Sequence, residues 1–326
     1  MPTRLSIAVP DDFDLPRDAC SYGYFLLAPN LWNPDDLSLS RPLDLDGGPA
    51  KVRIRQPSRP GGPLRVDTDR TLDPAERAEV RAQVTRMLRL DEDASHAARF
   101  HSLDPRFKES GRFRLFRSPT LFEDVIKTVT SCNVTWTSTI LMNRRLCECF
   151  GRGGSFPTAP RLARTPPALL RGRCSVGYRD RRIVEIARLF TGRAITTGAT
   201  PRRIPPVDAQ TLESPATTDQ AVLDSLLALP GIGPYAAANI MQLLGRYSRL
   251  PLDTESVRHG KTILGFKGSP AQVMKRVREH FVPMGDQAFR SYWFELWRFY
   301  ESRHGPAWTW RRDSTGRLFT SAHLST

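Results

Sequence analysis

Cysteine is scarce in this chain and carries no pattern. The five residues Cys20, Cys132, Cys147, Cys149 and Cys174 show no C-x-x-C spacing, no histidine at zinc-ligand distance, and no member beyond residue 174. They read as reduced thiols, and a structural zinc site is excluded on spacing. Long apolar runs are missing too: none approaches the roughly 18 residues that a membrane span needs. The opening MPTRLSIAVPDDFDLP has neither a basic start nor a following apolar stretch, so secretion is not expected and an intracellular location is. Lysine is the third scarcity, at six of the 48 basic residues against 34 acidic ones. The net charge of +14 is therefore carried by guanidinium groups, whose planar fork suits phosphate. A GC-rich coding sequence would give the same bias, so charge alone says only that a polyanion is an admissible partner.

What is present divides the chain by texture. Residues 1–72 hold short candidate strands near 22–27, 38–43, 50–55 and 64–67, punctuated by the turn chemistry of LDGGPA (45–50) and SRPGGP (58–63). From 73 onward, apolar residues recur at helical spacing, with start signals at Asp73-Pro74 and Ser118-Pro119. Helices are expected over 73–90, 118–132, 137–151 and 180–192, and near 218–228, 235–245, 254–265, 270–282 and 285–303. The Pro- and Thr-rich stretch 196–215 reads as a loop. The expectation is an α+β protein: an antiparallel sheet over 1–72, an all-α body over 73–305 and a tail over 306–326.

One segment is richer than the rest. In LLALPGIGPYAAANIMQLLG (226–245) an apolar helix runs into Pro230, Gly231-Ile232-Gly233 turn the chain, and a second helix starts at Pro234. Ile232 can plug the space between the two helices while the glycines take turn dihedrals. Free amides in such a turn form an anion site suited to a DNA phosphate, through a contact that carries no base information. An ordinary αα-hairpin would show the same pattern. Downstream, Asp253 follows SRLPL (248–252) and stands 20 residues after Gly233. It reads both as a helix N-cap and as a carboxylate held ready for chemistry.

LPGIGPYAAANI (229–240) with Asp253 resembles the helix-hairpin-helix (HhH-GPD) base-excision DNA glycosylases. That resemblance implies duplex DNA containing a damaged base as partner. It gives Leu229, Gly231, Ile232, Gly233 and Tyr235 to DNA contact and makes Asp253 the catalytic carboxylate that stabilises oxocarbenium character at C1′. The base would first be flipped out of the duplex. Members with lyase activity carry a lysine two residues after the second hairpin glycine; this chain has Tyr235, so a monofunctional enzyme is expected. The four-cysteine iron–sulfur motif of one branch is absent. No redox or organic cofactor is implied, and the resemblance permits a monovalent cation on hairpin carbonyls.

Two branches share the likeness. SCNVTWTSTILMNRRLCECFG (131–151) and SVGYRDRRIVEIAR (175–188) resemble helices of 8-oxoguanine glycosylases, which places Asn133 where an asparagine fills the gap left by the flipped base. It reads equally as a polar helix-end residue. Tyr235, Ala238-Asn239 and FRSYWFELWRFY (289–300) resemble instead the bacterial inducible 3-methyladenine enzymes. Trp136, Tyr235, Tyr292, Trp293 and Trp297 are thus candidates for a base pocket, since aromatic faces attract a cationic purine; aromatics at helical spacing also commonly form core. Alkylated purines are the favoured substrate, oxidised guanine the alternative, and a non-catalytic lesion-sensing DNA binder the competing class. A monomer is expected, in the cytoplasm at the nucleoid or, in a eukaryote, in the nucleus.

Overall fold

Alternating burial along short strands builds the N-terminal sheet. A computed structural model of the chain describes residues 1–197 and 202–318. Five antiparallel strands, β1 (Arg4–Ile7), β2 (Leu31–Asn33), β3 (Ser38–Leu45), β4 (Gly48–Arg55) and β5 (Leu64–Thr68), lie in the order β1-β5-β4-β3-β2. Asp46-Gly47 joins β3 to β4 with Leu45 opposite Gly48, the two-residue hairpin that LDGGPA encodes. That register sets Leu39 opposite Ile54 and Leu43 opposite Ala50, and all four are buried.

Three expectations need correction. Residues 22–27 are no strand: Gly23–Leu26 form a 3-10 turn, and Tyr24, Phe25, Leu26 and Leu27 are all buried. A run enclosed on every side has no need of the two-residue alternation of a half-exposed strand. The sheet gains instead the short strands β1 and β2. The helical body is also not wholly α. Within 196–215, β6 (Ile195–Thr197) pairs antiparallel with β7 (Arg202–Ile204), and Ala209–Glu213 is a short helix capped by Asp208. Residues 198–201 of that stretch, and 319–326 of the tail, lie outside the described residues.

The longer helices follow the apolar spacing closely. They are α1 (Pro74–Leu88), α2 (Ala94–Leu103), α3 (Leu121–Ser131), α4 (Trp136–Phe150), α5 (Pro167–Cys174), α6 (Asp180–Leu189), α7 (Asp219–Leu227), α8 (Pro234–Leu243), α9 (Thr254–Thr262), α10 (Pro270–Phe281) and α11 (Ala288–His304). The sequence reading missed α2 and α5. Local chemistry sets the starts: Asp73 and Glu76 close a capping box at α1, and Thr120 caps α3.

Two apolar cores result. One joins the sheet to α1, α10 and α11 and includes Phe289, Trp297 and Trp310. The other binds α3 to α8 through residues such as Ile126, Leu146, Ile183 and Ile240. The tail is tied down: Trp32 donates to the Trp308 carbonyl at 2.7 Å, and Trp310 packs on Trp297 at 5.1 Å between ring centroids. The C-terminal end of α8 is held from behind, where Arg89 donates to the carbonyls of Gln242 and Leu243 and Arg117 to that of Leu243. The cleft between these two cores is where the site lies.

Candidate active site

The hairpin between α7 and α8 is built as its sequence suggests. Leu229 and Ile232 are buried, Gly231 is exposed, and Pro234 opens α8. Gly231 has a φ of 72°, and a Cβ there would meet the Arg182 side chain at 2.4 Å. Its glycine is explained inside the molecule. Gly233 differs: its φ of −98° suits any residue, and a Cβ would meet nothing within 4 Å. The fold therefore leaves the turn's outer face at Gly233 open to close approach from outside.

Asp253 is the N-cap of α9. Its Oδ1 accepts the amides of Glu255 at 2.9 Å and Ser256 at 3.1 Å, while the Ser256 hydroxyl accepts the Asp253 amide at 3.2 Å. Both amides go to one oxygen, so capping does not consume Oδ2. Burial pushes the Asp253 carboxyl up from its ordinary value, against the opposing pulls of the Ser256 amide and the Tyr235 hydroxyl. Tyr292 braces the loop from α11 through a 2.9 Å hydrogen bond between its hydroxyl and that of Ser256.

Asp253 opens onto a cavity of about 370 Å³. Tyr235 and Asn239 of α8 form one wall; Trp136 with Ser131, Val134 and Thr135 form a second; Trp293, Leu296, Trp297 and Tyr300 of α11 form a third. A Cβ at Gly23 would lie 3.1 Å from the Trp136 ring, so the glycine of the 3-10 turn lets that indole pack closely against it. Trp293 stacks on Phe289 and Trp297 at 6.0 and 5.2 Å and donates to the Ser21 carbonyl; Trp297 donates to the Cys20 carbonyl. These bonds satisfy the indole N–H groups and hold the rings rigidly. Among the described residues no lysine, arginine or histidine lines the cavity, whereas two carboxylates, Asp253 and Glu255, do. Such a box accepts a flat heteroaromatic group on its ring faces and offers an anion to a developing positive centre.

All five aromatic residues singled out from sequence, Trp136, Tyr235, Tyr292, Trp293 and Trp297, thus line one cavity with Asp253. Leu229, Gly231, Ile232 and Gly233 stand in the turn preceding Tyr235. Asn133 does not line the cavity; it is exposed at the α3–α4 junction with a φ of 52°, flanked by the lining residues Ser131 and Val134. Glu255, Tyr300 and Gly23 were missed. Tyr300 was findable, because Trp293, Leu296, Trp297 and Tyr300 repeat at one helical stripe. Nothing local marks Gly23. Among the described residues no group of three or more His, Cys, Asp or Glu is placed to hold a metal ion.

Comparison with solved structures finds the same architecture in DNA glycosylases. The 3-methyladenine DNA glycosylase from Archaeoglobus fulgidus superposes with a TM-score of 0.59 at 19% identity, over 90% of this chain and 98% of that one. The Clostridium acetobutylicum 8-oxoguanine glycosylase/lyase in its apo form gives 0.62 at 15% identity, over 90% and 98%. The same enzyme in complex with double-stranded DNA containing cytosine opposite 8-oxoG gives 0.62 at 17%, over 93% and 98%. No protein-family model matches the chain, and no curated protein matches it by sequence. The α+β class, a small sheet before a helical body, is the fold these enzymes share with it.

Proposed function

We propose that the protein is a monofunctional DNA N-glycosylase acting on alkylated purines in duplex DNA. The observation that carries this reading is the placement of a half-buried, capped carboxylate, Asp253, at the edge of an aromatic cavity one helix away from a phosphate-competent hairpin. The hairpin turn would grip the backbone through amides, leaving the open face at Gly233 against a phosphate. A base swung out of the stack would enter between Trp136 and the indoles of α11.

Asp253 then acts where charge develops. As the bond between C1′ and the base nitrogen lengthens, its electron pair goes to the base and the sugar takes on oxocarbenium character, which the carboxylate stabilises. Water adds to C1′, its proton passing to Asp253, and an abasic site and a free base result. A cationic base is already a good leaving group, so a carboxylate without an acid partner suffices. Tyr235 stands where a lysine would be needed for an imine, and among the described residues no lysine lines the cavity. A monovalent cation would be held at the hairpin by backbone carbonyls alone, of which Leu229 and Gly233 already accept the amides of Ile232 and Ala237.

The test is base release from duplexes carrying single lesions, read with and without alkali. Strand breaks that appear only after alkali, on an alkylated purine, are expected. Breaks without alkali would overturn the monofunctional assignment. Release of 8-oxoguanine in preference would transfer the substrate to oxidised guanine, which the likeness to the glycosylase/lyase favours. DNA binding without release from any lesion would leave a lesion-sensing binder.

A further inference from the structure

The second carboxylate of the cavity has no part in the chemistry assigned to Asp253. Glu255 lies one residue beyond Thr254 in the first turn of α9, lines the cavity, and keeps 24% of its side chain exposed. Its Oε1 is held from three directions. The Tyr300 hydroxyl donates at 2.6 Å, Arg258 Nε donates at 2.8 Å, and Arg258 Nη2 donates to the same atom. Every one of these bonds uses Oε1, so among the described residues Oε2 has no protein donor. A side chain pinned through one oxygen presents the other as a fixed acceptor at little entropic cost.

The charge count around the cavity is also lopsided. Arg258 answers one carboxylate, but it faces away, stacking on Phe299 at 4.4 Å, and is not in the lining. Two carboxylates in the lining and one guanidinium behind it leave the wall with one net negative charge, in a protein whose overall charge is +14. The local field thus opposes the global one: the surface attracts a polyanion while the cavity favours a cation. Aromatic faces on three walls add to that preference.

We infer that Glu255 is a specificity-determining residue that selects positively charged bases over neutral ones, through its fixed Oε2 and its charge. The inference rests on the reading of this cavity as the place where a base is held. It assigns Glu255 discrimination and leaves bond cleavage to Asp253. A ring that carries a formal charge, or presents N–H donors made more acidic by that charge, gains from Oε2; a neutral base of the same outline gains less.

The test compares wild type, Glu255→Gln and Glu255→Asp on two duplexes that differ only in the lesion, cationic 7-methylguanine or neutral hypoxanthine. Glu255→Gln keeps the shape and removes the charge. It is expected to lower kcat/KM about tenfold on the cationic lesion and at most about twofold on the neutral one, a change in ratio that a general loosening of the fold would not give. Glu255→Asp, which restores the charge on a shorter stem, is expected to recover part of the ratio. Equal losses on both duplexes, or none on either, overturn the inference. Where no base is released at all, binding decides: quenching of the cavity tryptophans by the permanent cation 3,9-dimethyladeninium is compared with that by neutral 9-methyladenine. A cation preference that vanishes in Glu255→Gln sustains the role of Glu255 while the enzymatic reading fails alone. No preference in the wild type overturns the role itself.

Discussion

The two flanks of the cavity are built on different principles. On the hairpin side the working parts are backbone: Gly231 in a left-handed conformation, Gly233 with open space before it, and amides at the start of α8. On the α11 side the working parts are rings that hold one another, with Phe289, Trp293, Trp297 and Trp310 in one stacked and tilted series. Asp253 joins the flanks, drawing its two amide bonds from its own helix and its brace from Tyr292 of α11. On the proposed reading, chemistry and backbone grip would rest on a few atoms, whereas the shape of the cavity is distributed over many side chains.

The sharpest way to break that contrast is at the junction. Asp253→Asn should lower base release by about 10²- to 10⁴-fold while leaving duplex affinity near wild type, measured by single turnover and by titration. An equal loss of affinity would show that the carboxylate serves the grip as well as the chemistry. The hairpin comes next. Gly233→Val should keep the thermal midpoint close to wild type, because a Cβ there meets nothing within 4 Å, yet weaken DNA binding about tenfold or more if a phosphate approaches that face as proposed. Gly231→Ala should instead unfold earlier, by about 1–2 kcal/mol, because its φ and its contact with Arg182 are intramolecular constraints. If both variants lost stability alike, the two glycines would have one role.

Smaller effects follow from titration and from the far flank. Burial raises the Asp253 carboxyl above 3.8, so folding favours its protonated form. The sign follows: the charged form costs stability, at a penalty that is absent below the unfolded value and grows as pH rises through the interval to the raised value. Asp253→Asn should therefore melt higher than wild type at neutral pH and lose that advantage in acid, while wild-type turnover declines on the acid side as the carboxylate protonates. A variant no more stable than wild type at neutral pH would deny the carboxylate its burial cost. Tyr292→Phe should have the mildest outcome, losing about 1 kcal/mol with its bond to Ser256 and slowing base release a few-fold. A loss as large as that of Asp253→Asn would mean that the aromatic flank is no more redundant than the hairpin.

Much of this was legible locally. The hairpin declares itself because proline and glycine restrict the backbone wherever they occur, and Asp253 because capping chemistry lies within three residues. Helices such as α3 and α10 were readable from one apolar face. Residues 22–27 were misread as a strand because a run buried on all sides has no period to reveal its geometry. The turn it forms is nonetheless what places Gly23 against Trp136. Glu255 escapes a sequence reading, since nothing local tells a solvated helix-start glutamate from one that faces a cavity.

The sequence by itself determined most of the longer helices, the α+β order, the turn that can meet a phosphate and the one carboxylate set 20 residues beyond it. Those depend on dihedral preference, capping and periodicity, which act over a few neighbours. Only the tertiary structure decided that Trp136, Tyr235, Trp293 and Trp297 share one cavity, and that the tail's Trp310 backs it. It alone turned Glu255 inward and left Asn133 outside the lining. Such facts arise where separate segments of the chain pack together, and no local preference encodes which faces will meet.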